Sequence, residues 1–289
     1  MKIPTICFSL CLGVGAICSV FAKPSCCSST AEHQSLFNGD SLDGWKIMEV
    51  PADNKYYATE ENFFVKGGAL HCFQTGPERK GGLLLSEKKF RDFELLIDIK
   101  SDWGCDSGIF LRCTDDGRGI QVLNDYLEDG SIGFPFGQGT GAYISRPIRL
   151  YGEPNVSEAN DVIARDIYDA VEVDGLLYAI DAEGWNQAWK HGEWNTLKVV
   201  CVGPEPFITT WINGVKVMEF DGSLYRGRQL RDEIQQDWDK PSAWDSEKVQ
   251  KITGGSGSIA LQVHPGGRWQ PGGSAMYKNI FIKDLTPQN

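Results

Sequence analysis

Phe93-Glu94-Leu95-Leu96-Ile97-Asp98-Ile99-Lys100 is the stretch whose reading decides the fold. Phe93, Leu95, Ile97 and Ile99 recur with a period of two, and Glu94, Leu96, Asp98 and Lys100 take the opposite side, which is the pattern of a half-buried β-strand. Upstream, residues 62–73 read as a hairpin, with Phe63-Phe64-Val65 and Ala69-Leu70-His71 joined through Lys66-Gly67-Gly68. Downstream, apolar runs at 108–113, 120–123, 176–180, 196–202 and 208–212 continue the series. Asn213-Gly214 supplies a two-residue hairpin turn into 215–220. The last strands are read at 258–263 and 275–283. Short runs between Gly, Asn and Asp turns, with no repeat at a fixed period, argue against a propeller or solenoid and predict an all-β, two-sheet antiparallel jelly-roll sandwich. Two segments are expected to decorate it: 156–170 with a short helix, and 225–251, where Leu230, Ile234 and Trp238 have helical spacing.

The N-terminus carries one basic residue, Lys2, then an apolar run at 6–21 ending at Ala22. This reads as a signal peptide over 1–22, followed by a flexible stretch at 23–34 and one domain at 35–287, so the mature chain is expected to be secreted or periplasmic. Pro4, Thr5, Ser9 and Ser19 leave the run short of the ~20 apolar residues a membrane span requires, and no later segment reaches that length. With 28 basic against 39 acidic side chains, a net charge of −11 and no Lys/Arg cluster, the composition argues against nucleic acid as a partner.

Six cysteines follow the signal: Cys26, Cys27, Cys72, Cys105, Cys113 and Cys201. An even number in an exported chain favours disulfides. Cys105 and Cys113 flank one strand, roughly 26 Å apart when extended, so Cys72 or Cys201 are the better partners. Buried free thiols are the other reading.

The order of several motifs resembles the 3-keto-disaccharide hydrolase domain. They run from Leu36-Phe37-Asn38-Gly39 and Leu42-Asp43-Gly44-Trp45 through Asp92-Phe93-Glu94-Leu95 to Asp106-Ser107-Gly108-Ile109-Phe110-Leu111-Arg112 and Gln121-Val122-Leu123. Gly192-Glu193-Trp194-Asn195, Trp211-Ile212-Asn213-Gly214, the segment from Gly257 to Gln262 with His264, and Lys278-Asn279-Ile280 complete the series. The resemblance covers about residues 35–285 and implies a concanavalin-like jelly roll that cleaves glycosides oxidised at C3. This chain has Asp106 where the family commonly has Asn, and Asn124 then Asp125 where the family commonly has Asp then Asn.

Strand parity sorts these residues independently of the resemblance. It gathers Asp106, Arg112, Gln121, Asp125, Gln262 and His264 on one outer, concave sheet face, and sends Ile109, Leu111, Val122 and Leu261 into the core. Such a surface suits a sugar, whose hydroxyls need hydrogen-bond partners and whose C–H face needs an aromatic wall. Trp103, Phe134, Phe136, Tyr143 and Trp269 are the candidates for that wall, and Arg112, Gln121, Asn124 and Gln262 for the polar contacts. A ketone at C3 acidifies the C2 proton, so elimination of the C1 substituent followed by hydration needs a base, an acid and donors to the enolate. His264, Asp106 and Asp125 are the expected proton carriers, and Arg112 with Gln121 the groups that hold the enolate or hydroxyl oxygens. No cofactor and no metal is called for, since the histidines lack ligand spacing. A laminarinase-type site would need three acids on one strand, and Glu94 with Asp98 is the nearest approach. The competing reading is a lectin-like module that binds carbohydrate without turnover.

Overall fold

The strand that begins at Phe93 lies in the middle of the larger of two antiparallel sheets. The structure is a computed structural model that describes residues 32–49, 60–140, 146–152, 162–167, 175–225 and 246–287. In chain order its strands are β1 (Gln34–Ser35), β2 (Trp45–Ile47), β3 (Phe63–Lys66), β4 (Ala69–Phe73), β5 (Gly82–Phe90), β6 (Phe93–Ser101), β7 (Gly108–Cys113), β8 (Gly119–Asn124) and β9 (Ile132–Gln138). They continue with β10 (Ile148–Tyr151), β11 (Ile163–Asp166), β12 (Leu176–Ala179), β13 (Asn195–Val202), β14 (Phe207–Ile212), β15 (Val215–Asp221), β16 (Gly257–Val263) and β17 (Ser274–Asp284). Two α-helices, α1 (Ala182–Ala188) and α2 (Ser246–Thr253), accompany them.

The larger sheet has the order β12-β15-β14-β13-β6-β17-β4-β3, with β1 added along β17. The smaller has the order β2-β5-β16-β7-β8-β9, and β10 pairs with β11 separately. Strands distant in sequence are neighbours, as when β6 lies between β13 and β17 and β16 between β5 and β7, which is the path of a jelly roll. Phe93, Leu95, Ile97 and Ile99 are fully buried and belong to the same core as Ile109, Leu111, Ile120 and Val122 of the smaller sheet. Each such side chain contributes about 1.5–3 kcal/mol on burial. The β14–β15 turn has left-handed backbone at Asn213 (φ 50°) and Gly214 (φ 85°), which fits the twist of a two-residue hairpin.

Some expectations are corrected. Of the stretch expected to contain a short helix at 156–170, the described residues 162–167 hold a strand, β11, paired with β10 in register Leu150 to Ala164. The helix near there is α1, whose N-terminus is capped by Asp181 accepting from the Gly184 N–H at 2.8 Å. Among the described residues Cys72, Cys105, Cys113 and Cys201 are free thiols, and no disulfide links them. Cys72, Cys105 and Cys201 pack in the main core, while Cys113 joins a cluster on the other face of the smaller sheet. All behave as small apolar side chains. Burial pushes the Cys201 thiol up to about 11 and that of Cys113 to about 12, which keeps both protonated. The signal sequence, Cys26, Cys27, Tyr143, Leu230, Ile234 and Trp238 lie outside the described residues.

Parity also fails at Arg112, for a local reason. In the β16–β7 pairing Ser258 lies opposite Cys113 and Ala260 opposite Phe110, so β7 carries one more residue than its partner over this interval. That is a β-bulge, and Arg112 occupies it with φ 52°. The side chain leaves the sheet face and is buried at the edge of the fold, 2% exposed. Its guanidinium donates to the carbonyls of Arg91, Gly203 and Thr253 and pairs with Asp92 Oδ1 at 3.0 Å. Asp92 Oδ1 in turn accepts the Gly203 N–H at 2.8 Å. Arg112 therefore ties the β5–β6 corner to the β13–β14 turn and to the end of α2.

Candidate functional site

The outer face of the smaller sheet begins as parity dictates. Ser107 turns inward, donating to the Gln262 carbonyl at 2.6 Å and lying 2.7 Å from the Tyr277 hydroxyl. Asp106 and Gly108 consequently face the other way. Phe110 of β7 opposes Gln121 of β8, and Gln121 opposes Phe136 of β9, which sets these three on one face. Across β7, Gln262 of β16 reaches the same spot. A Cβ placed on Gly108 would stand 1.8 Å from Gln121 Oε1 and 3.3 Å from Gln262 Oε1. Met48, Leu83, Leu85, Phe110, Cys113 and Ala260 form an apolar cluster on this outer face. The expected open concave surface is instead closed: β7, β8 and β16 are buried along both faces.

At the end of β7 and β8 two carboxyl groups meet. Asp125 is 1% and Asp106 6% exposed. Burial first, then the negative charge of Asp106, pushes the Asp125 carboxyl well above the ordinary carboxylate range, and the hydrogen bond between the two carboxyls acts in the same sense. Arg146 and Arg268 pull the other way without reversing the direction. Arg268 donates from Nε to Asp106 Oδ2, and Arg146 Nη2 stands 3.5 Å from Asp125 Oδ2. The Arg146 guanidinium also lies 5.5 Å over the Phe136 ring, joining the carboxyl pair to the β9 aromatic.

The Arg268 loop is pinned to Asp106 by backbone bonds. The Asp106 N–H donates to the Arg268 carbonyl at 3.0 Å, and the His264 N–H donates to the Asp106 carbonyl at 3.2 Å. His264 is half-buried, and its ring Nδ1 lies 2.7 Å from the Pro265 carbonyl. That carbonyl can only accept, so Nδ1 carries the proton and Nε2 holds the lone pair of the neutral ring.

The buried oxygens here want donors. Gln121 Oε1 and Gln262 Oε1 are sealed from solvent and have no hydrogen-bond partner among the described residues, whereas the equally buried Asp125 carboxyl has Asp106 and, at 3.5 Å, Arg146 beside it. Leaving such a group unsatisfied costs about 1–3 kcal/mol each, so the gathering of the two glutamine oxygens around Gly108 marks a candidate ligand site.

Asp106, Asp125, Gln121 and Gln262 are thus brought together, with His264 attached to them through the backbone. Others assigned to the site stand elsewhere. Arg112 is a structural tie, as described above. Asn124 points into the core, donating to Ser101 Oγ and the Tyr277 hydroxyl, both at 3.0 Å, because it alternates with Asp125. Trp269 is 1% exposed in the main core, its indole N–H donating to the Gly273 carbonyl at 2.9 Å. Phe134 is likewise a core residue on the inner side of β9. Trp103 is half-buried and stands edge-on to Tyr126, ring centroids 5.2 Å apart. Of the described aromatic candidates, Phe136 shares the face of Gln121. Arg146 and Arg268 were missed. The signal for Arg268 was its position in Pro265-Gly266-Gly267-Arg268-Trp269, a tight loop beside His264 that reads only as a turn.

A family model described as "3-keto-alpha-glucoside-1,2-lyase-like domain" matches residues 32–283. Comparison with curated proteins found no match. Among solved structures, a Parabacteroides distasonis protein assigned as a glycosyl hydrolase is 20% identical, with 83% of this chain and 99% of that one covered and a TM-score of 0.45. A prokaryotic beta-1,3-1,4-glucanase (lichenase) derived from a mouse hindgut metagenome is 13% identical over 85% of this chain and 97% of its own, with a TM-score of 0.42. The carbohydrate-binding module CBM66 from Bacillus subtilis is 12% identical over 83% and 96%, with a TM-score of 0.39. With the family match spanning nearly the whole sandwich, this chain belongs to the 3-keto-alpha-glucoside-1,2-lyase-like domain family.

Proposed function

We propose that this chain is an exported enzyme that cleaves glycosides whose sugar carries a ketone at C3. The observation that carries the reading is the buried Asp106–Asp125 pair beside two arginines, in which burial and the Asp106 charge favour the protonated form of Asp125. A carboxyl whose proton affinity is raised in this way is suited to act as a general acid. His264, with its Nε2 lone pair free, is the base.

In the first step His264 Nε2 takes the C2 proton, and the electron pair passes into the C2–C3 bond while the ketone oxygen becomes an enolate. Arg146 and Arg268 supply the positive charge that stabilises that oxygen, the role first assigned to Arg112. In the second step the ketone re-forms, a C1–C2 double bond is made, and the C1–oxygen bond breaks. Asp125 gives its proton to the departing oxygen. Water then adds across the double bond: Asp125 takes a proton from the water as its hydroxyl bonds to C1, and His264 returns its proton to C2, so that both residues are restored and the products are the free aglycone alcohol and a 3-keto sugar.

The test is aglycone release from a 3-keto α-glucoside beside the same glucoside unoxidised. Release from the ketone substrate alone is expected, with Asp125→Asn and His264→Ala each slower by about 10²- to 10⁴-fold. Binding of both sugars without release would overturn the enzymatic reading in favour of a carbohydrate-binding module. Unchanged turnover in His264→Ala would remove that residue from the mechanism.

A further inference from the structure

We infer that Gly108, Gln121 and Gln262 form a hydroxyl-reading subsite, in which the two glutamine oxygens accept from a free sugar hydroxyl and the missing side chain of Gly108 keeps the place open for them. It rests on the carbohydrate reading above but not on the elimination chemistry. Three observations carry it. The two oxygens come from strands on either side of β7 yet lie around one point, the position a Gly108 Cβ would fill, so they are separated by no more than their two distances from it combined. Gln121 is 4% and Gln262 8% exposed, and neither Oε1 has a hydrogen-bond partner among the described residues. Gly108 has no left-handed backbone requirement, so the glycine is explained by the space above it and not by the chain conformation.

The polarity of the subsite sets what it selects. Two carbonyl oxygens facing a ligand accept hydrogen bonds, so they suit a hydroxyl and repel a ketone or an ether oxygen. The donors nearby are Arg146 and Arg268, at the carboxyl pair. A 3-keto sugar is therefore oriented with its carbonyl toward the arginines and a neighbouring hydroxyl toward the glutamines. Of the two roles first given to Gln121, holding the enolate oxygen or a hydroxyl oxygen, the glutamines take the second. A site built to accept from a hydroxyl rejects the analogue that lacks it, because its buried oxygens are then left unpaired.

The experiment is calorimetric titration of the full chain with methyl α-glucoside and its 2-, 4- and 6-deoxy forms, run with Gln121→Met, Gln262→Met and Gly108→Ala. One deoxy sugar is expected to bind about 10- to 100-fold more weakly than its parent. That penalty should vanish in both Met variants, and Gly108→Ala should bind neither sugar. Should Gly108→Ala fail to fold, Gly108→Ala combined with Gln121→Ala removes the clash and should fold with the penalty still lost. A penalty that persists unchanged in the Met variants, or no binding of any sugar to the parent protein, overturns the subsite. Binding that follows this pattern in a protein with no turnover of 3-keto glucosides upholds the subsite and refutes the enzymatic reading instead.

Discussion

Asp125 Oδ2 stands 3.5 Å from Arg146 Nη2, yet burial and the charge of Asp106 outweigh that cation and push the Asp125 carboxyl well above the ordinary carboxylate range. A carboxyl raised in this way works against the folded state wherever the unfolded chain would ionise it. The folded protein holds the proton at pH values where the unfolded chain has released it, so stability falls as pH rises from the ordinary carboxylate range to the raised value. Asp125→Asn removes this dependence. The variant should gain stability over the parent as pH rises, with the gain vanishing below the ordinary carboxylate range. Melting temperatures of both proteins across pH check it, and a pH-independent difference would contradict the assignment.

Arg146 lowers the proton affinity of Asp125 and Arg268 does so more weakly. Replacing Arg146 by Gln should therefore raise that affinity further. If protonated Asp125 is the acid, the alkaline limb of the pH–rate profile moves to higher pH in Arg146→Gln while the maximum rate falls through loss of enolate stabilisation. A limb that stays put would show that another group supplies the proton.

How the site was legible in the sequence depends on what each residue answers to. Alternation sorted Gln121 from Val122 and Asp125 from Asn124 because side chains in a strand have only two directions. It placed Asn124 in the core as firmly as it placed Asp125 outside, and the family motif overrode that reading. Arg112 was misplaced because one extra residue in β7 breaks the alternation, and a bulge leaves no mark in a run such as Gly108-Ile109-Phe110-Leu111-Arg112. Trp269 was misread for a related reason: a tryptophan in a Gly-rich loop looks solvent-facing until the loop is seen to fold it inward. Arg146 and Arg268 reach the carboxyl pair from separate loops, and no local pattern records a contact of that kind.

Arg112 should prove structural. Its four partners are three backbone carbonyls and the Asp92 carboxylate, all at the fold's edge. Arg112→Ala removes the guanidinium from the three carbonyls and leaves the Asp92 carboxylate with the Gly203 N–H but no cation, and should lower the unfolding free energy by about 3–5 kcal/mol. Arg112→Lys should recover only part of this, since one ammonium cannot span acceptors set out for a planar guanidinium. Denaturant unfolding measures both, and a loss of sugar binding with stability intact would return Arg112 to the site.

Asn124 gives the complementary case. Its amide is 0% exposed and bridges Ser101 to Tyr277, whose hydroxyl also contacts Ser107. Burial, acting with the neighbouring thiols, pushes the Tyr277 hydroxyl up, and the bonds from Ser107 and Asn124 oppose that shift. Asn124→Ala should cost about 1–3 kcal/mol by leaving these hydroxyls short of a partner. Asn124→Asp, which restores the acid the family commonly carries here, should be worse at neutral pH: among the described residues the side chain meets only the Ser101 and Tyr277 hydroxyls, so a carboxylate must either stay protonated or destabilise the fold. Its stability should therefore improve as pH falls from the raised carboxyl value toward the ordinary carboxylate range, while that of Asn124→Ala stays offset from the parent by a constant amount. Unfolding curves at acid and neutral pH separate the two, and a pH-independent Asn124→Asp would mean that the bridge to Tyr277 accommodates a charge.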